Sequence, residues 1–248
     1  MRVEYINLID SATLTESNED LIYPVENVQN QRLAKPWRTT VLTSLTVTAD
    51  MGGTASVTMA AIIGHNLTSA ATLTISGNTA SSFVSPAFTT SMTSVGGVIL
   101  KYFDQQDFRY WQYAIDDPTN SDAYVEIGRL WAGVYWQVEP ESTLDFTVTK
   151  KRDDTVTYGR GRQKYATQGV GWRAFDLSFD YVSATALTLV QTFYDTVGQH
   201  SSFVFSNFDT SLAYDIVLPC YCSITSDIGF KHKRYMAFDY TLKFEEDR

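Results

Sequence analysis

The cations of this 248-residue chain are unevenly spread, and their spacing suggests a surface that binds something. Lys150, Lys151, Arg152, Arg160, Arg162, Lys164 and Arg173 crowd into one stretch, with Asp153 and Asp154 as the opposing charges inside it. Such a cluster can contact phosphate, match an acidic face of an identical subunit, or remain a solvated loop. The chain as a whole carries 19 Lys+Arg against 28 Asp+Glu, a formal net charge of -9. A dedicated nucleic-acid binder needs a basic face, so nucleic acid is the least favoured partner. Contact between subunits through Lys150, Lys151, Arg152, Arg160, Arg162 and Lys164 is the expectation, with Gly159 and Gly161 leaving the Arg160-Gly161-Arg162 segment free to bend.

Aromatic residues form the second group. Trp111, Trp131 and Trp136 stand among Tyr102, Tyr110, Tyr113, Tyr124 and Tyr135, and aromatic faces can carry sugars. Core packing competes, because Trp111/Tyr113 and Trp131/Tyr135 lie within strands and at least one of each set must point inward. Trp111 and Trp131 are the candidate glycan contacts.

The titratable residues arrange themselves less clearly for catalysis. Asp116, Asp117, Asp122 and Glu126 flank the turn Pro118-Thr119-Asn120-Ser121 and could offer hard oxygen ligands to Ca²⁺. Their spacing fits no EF-hand loop, and Asp and Asn are ordinary turn formers, so a solvated turn is expected. Asp176 and Asp180 share the polar face of a strand, too far apart along it for an acid/base pair. His65, His200 and His232 are each isolated in sequence. A nucleophile elbow, a His-Glu-x-x-His helix, a phosphate-cradling glycine loop and spaced cysteine pairs are all missing from the sequence. Cys220 and Cys222 share one strand face at a spacing that rarely meets disulfide geometry, which leaves them as small buried hydrophobes. The chain is therefore expected to be a non-enzyme without cofactor or metal site. A glycosidase would need two carboxylates across a cleft, and no pair stands out.

The elements that must position these groups are mostly strands. From Trp172, the residues Phe175, Leu177, Phe179 and Tyr181 alternate with Asp176, Ser178 and Asp180. From Tyr235, the residues Phe238, Tyr240, Leu242 and Phe244 alternate with Asp239, Thr241 and Lys243. Period-two alternation marks half-buried antiparallel strands, with aromatic faces turned to a core. Between them Leu187, Val190, Phe193, Tyr194 and Val197 recur at helical spacing, with Ser183 placed to cap and Gly198 placed to stop the helix. The first half reads as short strands at 41–50, 56–64, 71–76, 98–103, 109–115 and 124–134. Gly52-Gly53, Gly77-Asn78, Gly96-Gly97 and Asp117-Pro118 are the turn signals between them. A further short strand is expected at 144–149. Nothing approaches the roughly 20 apolar residues of a membrane span. The segment carrying Arg2, Glu4 and Asp10 lacks the apolar centre of an export leader, so synthesis in the cytoplasm is expected.

These patterns make a mainly β protein of two β-sandwich domains, a jelly roll over 1–139 and a β domain with a helix near 184–197 over 140–248. The boundary follows the polar, proline-bearing Glu139-Pro140-Glu141. The run Ile62-Ile63-Gly64-His65-Asn66-Leu67, with Arg109-Tyr110-Trp111 and 124–130, resembles the galactose-binding-like (discoidin-type) jelly rolls found in many phage proteins. Pro24-Val25-Glu26-Asn27-Val28 and Pro36-Trp37-Arg38 are similar to the segment before the first core strand of such domains. The C-terminal part resembles the distal tail and minor tail-tip proteins of long-tailed phages. Three features carry this second resemblance: Phe179-Asp180-Tyr181 leading into the helix, the glycine turn into an aromatic strand over 198–205, and the closing Asp239-Tyr240-Thr241-Leu242-Lys243-Phe244-Glu245-Glu246. It implies a structural protein of the virion tail that forms a homo-oligomeric ring, such as a hexamer, against tail tube, tail-tip and fibre proteins. It transfers no catalytic residue. The long N-terminal jelly roll departs from the shortest members of that family, which affects stoichiometry and position. The alternative function is a carbohydrate-binding module that attaches to host-surface or other glycans through the jelly roll.

Overall fold

A computed structural model describes residues 1–94, 96–138, 147–206, 219–234 and 237–248. The strands of the first half are β1 (Arg2–Glu4), β2 (Thr13–Glu16), β3 (Trp37–Arg38), β4 (Leu45–His65), β5 (Thr72–Asn78), β6 (Phe88–Met92), β7 (Val98–Asp116), β8 (Glu126–Gly133) and β9 (Trp136–Gln137). The second half holds β10 (Thr147–Arg152), β11 (Thr155–Tyr158), β12 (Lys164–Thr167), β13 (Gly171–Ser183), α1 (Ala184–Val197), β14 (Ser202–Ser206), β15 (Cys220–Ile224), β16 (Phe230–Arg234) and β17 (Ala237–Glu246). The protein is thus mainly β, and α1 is the one α-helix among the described residues. Two compact units divide the chain. The first comprises Arg2–Gln137 with Val204–Cys220, and the second comprises Met1, Val138–Phe203 and Tyr221–Arg248.

Two long strands organise the first unit. The opening of β4 pairs with the end of β7 (Leu45 with Ile115, Asp50 with Tyr110), and its close pairs with the start of β7 (Met59 with Tyr102, Ile63 with Val98). On one half, β2 joins β4, β5 joins β7 and β6 joins β5. On the other, β8 joins β4 and β3 joins β8. Both long strands therefore serve two halves of one folded sheet. One core cluster takes Val47, Ile75 and Tyr113 from the first half and Ala60, Ile62, Ile99, Ile127 and Leu130 from the second. That is the arrangement of a β-sandwich.

The glycines at 52 and 53 do not separate two strands, as the turn signal suggests. They lie inside β4, where the register with β7 shifts between Asp50 and Ala55. Gly52 takes a φ of 73°, a conformation that suits glycine. A bulge adds residues to one strand and bends it. Residues 45–50 of the stretch 41–50 and the stretch 56–64 consequently merge into one bent strand, with 41–44 outside it, as do 98–103 and 109–115.

The second unit is built on the alternating strands. β13 pairs with β10 on one side and β17 on the other, and β15 and β16 both pair with β17. Phe175 stacks on Phe244 at 4.9 Å between ring centroids, and Phe179 on Tyr240 at 4.5 Å. Each such pair is worth about 0.5–1.5 kcal/mol beyond its buried area. The apolar side of α1 buries Leu187, Val190, Phe193 and Val197. Phe193 meets Phe203 edge-on at 5.2 Å, and Phe203 in turn meets Phe244 at 5.4 Å. Ser183 Oγ accepts from the Ala186 N–H at 3.2 Å and so caps the helix. Cys220 and Cys222 are both buried.

One residue leaves its expected face. Tyr181 is 61% exposed, although alternation groups it with Phe175, Leu177 and Phe179. The pairing of β13 with β17 slips between Phe179 and Val182, and Tyr181 adopts a φ of 59°. Val182 takes the inward position instead and is fully buried. The bulge is tied by the Tyr181 N–H, which donates to Asp239 at 3.1 Å. Residues 144–146 of the strand expected at 144–149 lie outside the described residues; Thr147–Arg152 forms β10.

Candidate binding cleft

Arg2 lies at the centre of a surface cleft. β1 is paired along both edges, with Arg2 opposite Ser206 of β14 on one side and Gln137 of β9 on the other. Its backbone position is therefore fixed. The side chain lies over two rings at once, with the guanidinium carbon 4.4 Å from the centre of Tyr102 and 4.6 Å from that of Tyr135. The rings themselves meet edge to face at 5.1 Å. A guanidinium over an aromatic face contributes about 0.5–2 kcal/mol, more as water is excluded. Burial pushes the Tyr102 hydroxyl well above its ordinary range, against the opposing effects of the Ser206 side chain and Arg2. Tyr102 is thus a neutral hydrogen-bonding phenol at any physiological pH.

The other wall comes from β6 and the start of β7. Phe88 and Phe103 pack at 5.0 Å. Together with Thr90, Lys101, Asp104 and Gln106 they complete, around Arg2, Tyr102 and Tyr135, a cleft of about 520 Å³. That volume lies within the usual range of small-molecule sites, which combine apolar walls with a few fixed polar groups. The lining residues comprise four aromatics (two of them tyrosines), two cations, one carboxylate, one amide and one threonine.

Trp111 and Trp131, the candidate glycan contacts, do not line it. They are 0% and 1% exposed, and neither offers a ring face to a ligand. Trp111 lies behind the cleft wall, with Phe88 and Phe103 packed on it at 6.1 and 6.0 Å. Trp131 is enclosed by Arg129, whose guanidinium carbon is 5.0 Å from its ring, and its carbonyl accepts from the Tyr113 hydroxyl at 2.6 Å. The alternation that puts a large aromatic inside a sandwich applies to these tryptophans themselves, which is the correction to the expectation. Tyr102 and Tyr135 belong to the same aromatic group in the sequence, but nothing local distinguishes them. Arg2, Phe88, Lys101 and Gln106 give no signal at all, because the cleft depends on tertiary pairing of β1.

Glu4 follows Arg2 on the same face of β1 and is 1% exposed. Burial pushes its carboxyl up to about 9, while the Ile6 N–H and the Trp131 indole work in the other direction. There is no room to relax, since a Cβ on Gly133 would come within 2.5 Å of the Glu4 carboxylate.

The basic stretch divides in two. Arg173 is buried and forms an ion pair with Glu246 at 3.0 Å. Lys151 pairs with Glu245, and Arg152 lies 3.8 Å from Asp154. Beyond them β11 and β12 pair with each other as a two-stranded ribbon. Every residue from 151 to 168 is exposed. Lys150 lies in β10, also exposed, while Arg160, Arg162 and Lys164 mark the far end of the ribbon. None of these last three has a carboxylate partner among the described residues. The ribbon also leaves Tyr158 67% and Tyr165 54% exposed.

The remaining titratable groups serve turns. Asp117 accepts from the Thr68 N–H and hydroxyl at 2.8 and 2.6 Å, Asp122 from Asn66, and Glu126 pairs with Arg38, while Asp116 accepts from the Ser44 N–H. Each carboxylate has a different partner, and no group of three metal-ligating side chains exists among the described residues. The His65 imidazole accepts from the Leu67 N–H at 3.2 Å, and burial lowers its pKa. It is a turn residue kept neutral. Among the described residues, no helix is long and apolar enough to cross a membrane.

No family model matches the chain, and neither does any curated protein sequence. Solved structures that it is similar to include carbohydrate-binding modules. Chitosan-binding module 2 of a chitosanase/glucanase from Paenibacillus sp. IK-5, solved with chitotriose, is 14% identical, over 52% of this chain and 100% of that one, at a TM-score of 0.42. A fucose-binding module of Streptococcus pneumoniae is 11% identical over 52% and 95%, at 0.43. The family 32 module from C. perfringens NanJ, solved with galactose, is 14% identical over 55% and 100%, at 0.42. Likeness at this level carries no functional weight.

Proposed function

We propose that the chain is a non-catalytic binding protein whose first unit holds a saccharide in the cleft between Arg2, Tyr135 and Phe88. The observation that supports this is the lining itself. Four aromatic side chains border a concave space of about 520 Å³ beside polar side chains. Sugar rings present apolar C–H faces to aromatic rings and hydroxyls to planar polar groups, and both kinds of partner are at hand. The cleft pairs no nucleophile with a base, so it can recognise but has nothing with which to turn over. A glycan array tests the role: saturable binding by the intact chain, lost in Tyr135→Ala with an unchanged melting temperature, is expected. An array without a hit contradicts it.

A second role, assembly, is supported by the ribbon over 155–167. A two-stranded ribbon alone is marginal in water, and this one carries exposed tyrosines and cations. Covering it with an acidic face of a second copy, in an otherwise acidic chain, would bury both. The resemblance to phage tail proteins gives that assembly a form, a ring within a virion tail that meets tube, tip and fibre proteins. Light scattering of the intact chain and of Arg160→Glu/Arg162→Glu/Lys164→Glu tests this role. Defined oligomers of the parent that are absent from the variant support it, whereas identical behaviour of the two rules the ribbon out.

A further inference from the structure

We infer that the cleft selects an acidic saccharide, with the Arg2 guanidinium as the group that receives a sugar carboxylate. This rests on the saccharide-binding role proposed above and specifies its ligand class.

The Arg2 guanidinium carbon lies over two tyrosine rings, 4.4 and 4.6 Å from their centres. Its position along the chain is fixed by pairing on both edges of β1. The two rings stand at 79° to one another, so at most one of them lies along the guanidinium plane, and the group keeps N–H donors among its five for a ligand. No carboxylate pairs with the Arg2 guanidinium among the described residues. The acidic residue that follows on the same face, Glu4, is enclosed and keeps its proton near neutral pH, so it supplies no counter-charge. Other arginines of this chain differ in this respect. Arg38, Arg109, Arg129 and Arg173 all pair with carboxylates at 3.0 Å or less.

A planar guanidinium fork without a carboxylate partner among the described residues matches a ligand carboxylate bidentately. Lys101 adds a second cation to the lining, against Asp104 as its one carboxylate. The local excess of positive charge runs against the net charge of -9 of the whole chain. A neutral sugar would have no use for it, and burying part of an uncompensated guanidinium against a neutral ligand is unfavourable.

The probe is a galacturonic acid oligomer, compared by calorimetric titration with its methyl ester, which has the same rings without the charge. The acid should bind at least about tenfold more tightly than the ester. Arg2→Gln should abolish the preference, provided that its melting curve shows a folded chain. Asp104→Asn, at an exposed position, should increase the preference whether or not Arg2 can be replaced. Equal affinity for acid and ester, or an unchanged preference in Asp104→Asn together with a folded Arg2→Gln, overturns the inference. If neutral saccharides bind and the acid does not, the inference fails while the saccharide role stands. If neither binds, nor any member of the array, the role fails and the inference fails with it.

Discussion

Arg2 and the cations at the end of the ribbon over 155–167 all lack a carboxylate partner among the described residues, yet they are built differently. Arg2 has its backbone paired on two edges and its side chain gripped by two rings. Arg160, Arg162 and Lys164 stand on a ribbon whose every residue is exposed. The first cation has given up its rotamer freedom before any ligand arrives, so binding there carries little further ordering cost. The second group keeps its freedom and would lose it on docking. A small ligand suits the first, and an extended protein face suits the second.

The largest effect tests whether the buried tryptophans belong to the frame of the cleft or to its surface. Trp131→Ala and Trp111→Ala should each cost about 3–5 kcal/mol of stability, read as a fall in melting temperature. A variant that stays as stable as the parent yet loses sugar binding would break the distinction between Trp111 beneath the cleft and Tyr135 within it.

Next comes Glu4, which carries a hidden cost in the same region. Its ordinary value is 4.5 and its value in the fold is about 9. As pH rises through that window the unfolded chain gives up a proton that the folded chain retains. The stability associated with the folded, protonated carboxyl is therefore full below about 4.5 and is lost as pH climbs toward 9. Glu4→Gln keeps the shape without the proton, and should stabilise the fold by about 2–3 kcal/mol at pH 7. The two melting curves should converge near pH 4.

Smaller effects fall in the second unit. Ser183→Ala removes the cap of α1 and should cost about 1 kcal/mol, seen by chemical denaturation. Reversing the charges of Arg160, Arg162 and Lys164 should change monomer stability by less than about 0.5 kcal/mol. A marked loss of stability there would mean that the ribbon is packed after all, and the contrast with Arg2 would disappear.

The frame of the protein was far more legible in the sequence than its cleft. Alternation in β13 and β17 places Phe175, Leu177, Phe179, Leu242 and Phe244 inward, because period two is a property of the strand itself. It fails at Tyr181, where a bulge inverts the faces, and no residue type announces that slip. Glycines at 52 and 53 resemble a hairpin turn, yet they bend one strand, since the two outcomes differ in tertiary pairing alone. The basic stretch was visible as composition, though Arg173 proved to be buried against Glu246. The cleft was illegible for a plainer reason. It draws on Arg2 of β1, Phe88 of β6, Tyr102 of β7 and Tyr135 between β8 and β9, and no short-range spacing encodes their meeting.

Chemical-shift mapping of the labelled chain during titration with a saccharide that it binds tests the central claim most directly. The account predicts saturable shifts concentrated at Arg2, Phe88, Thr90, Tyr102 and Tyr135, with residues 155–167 unmoved. Shifts confined to the ribbon, or to a surface that includes none of the cleft residues, would contradict it.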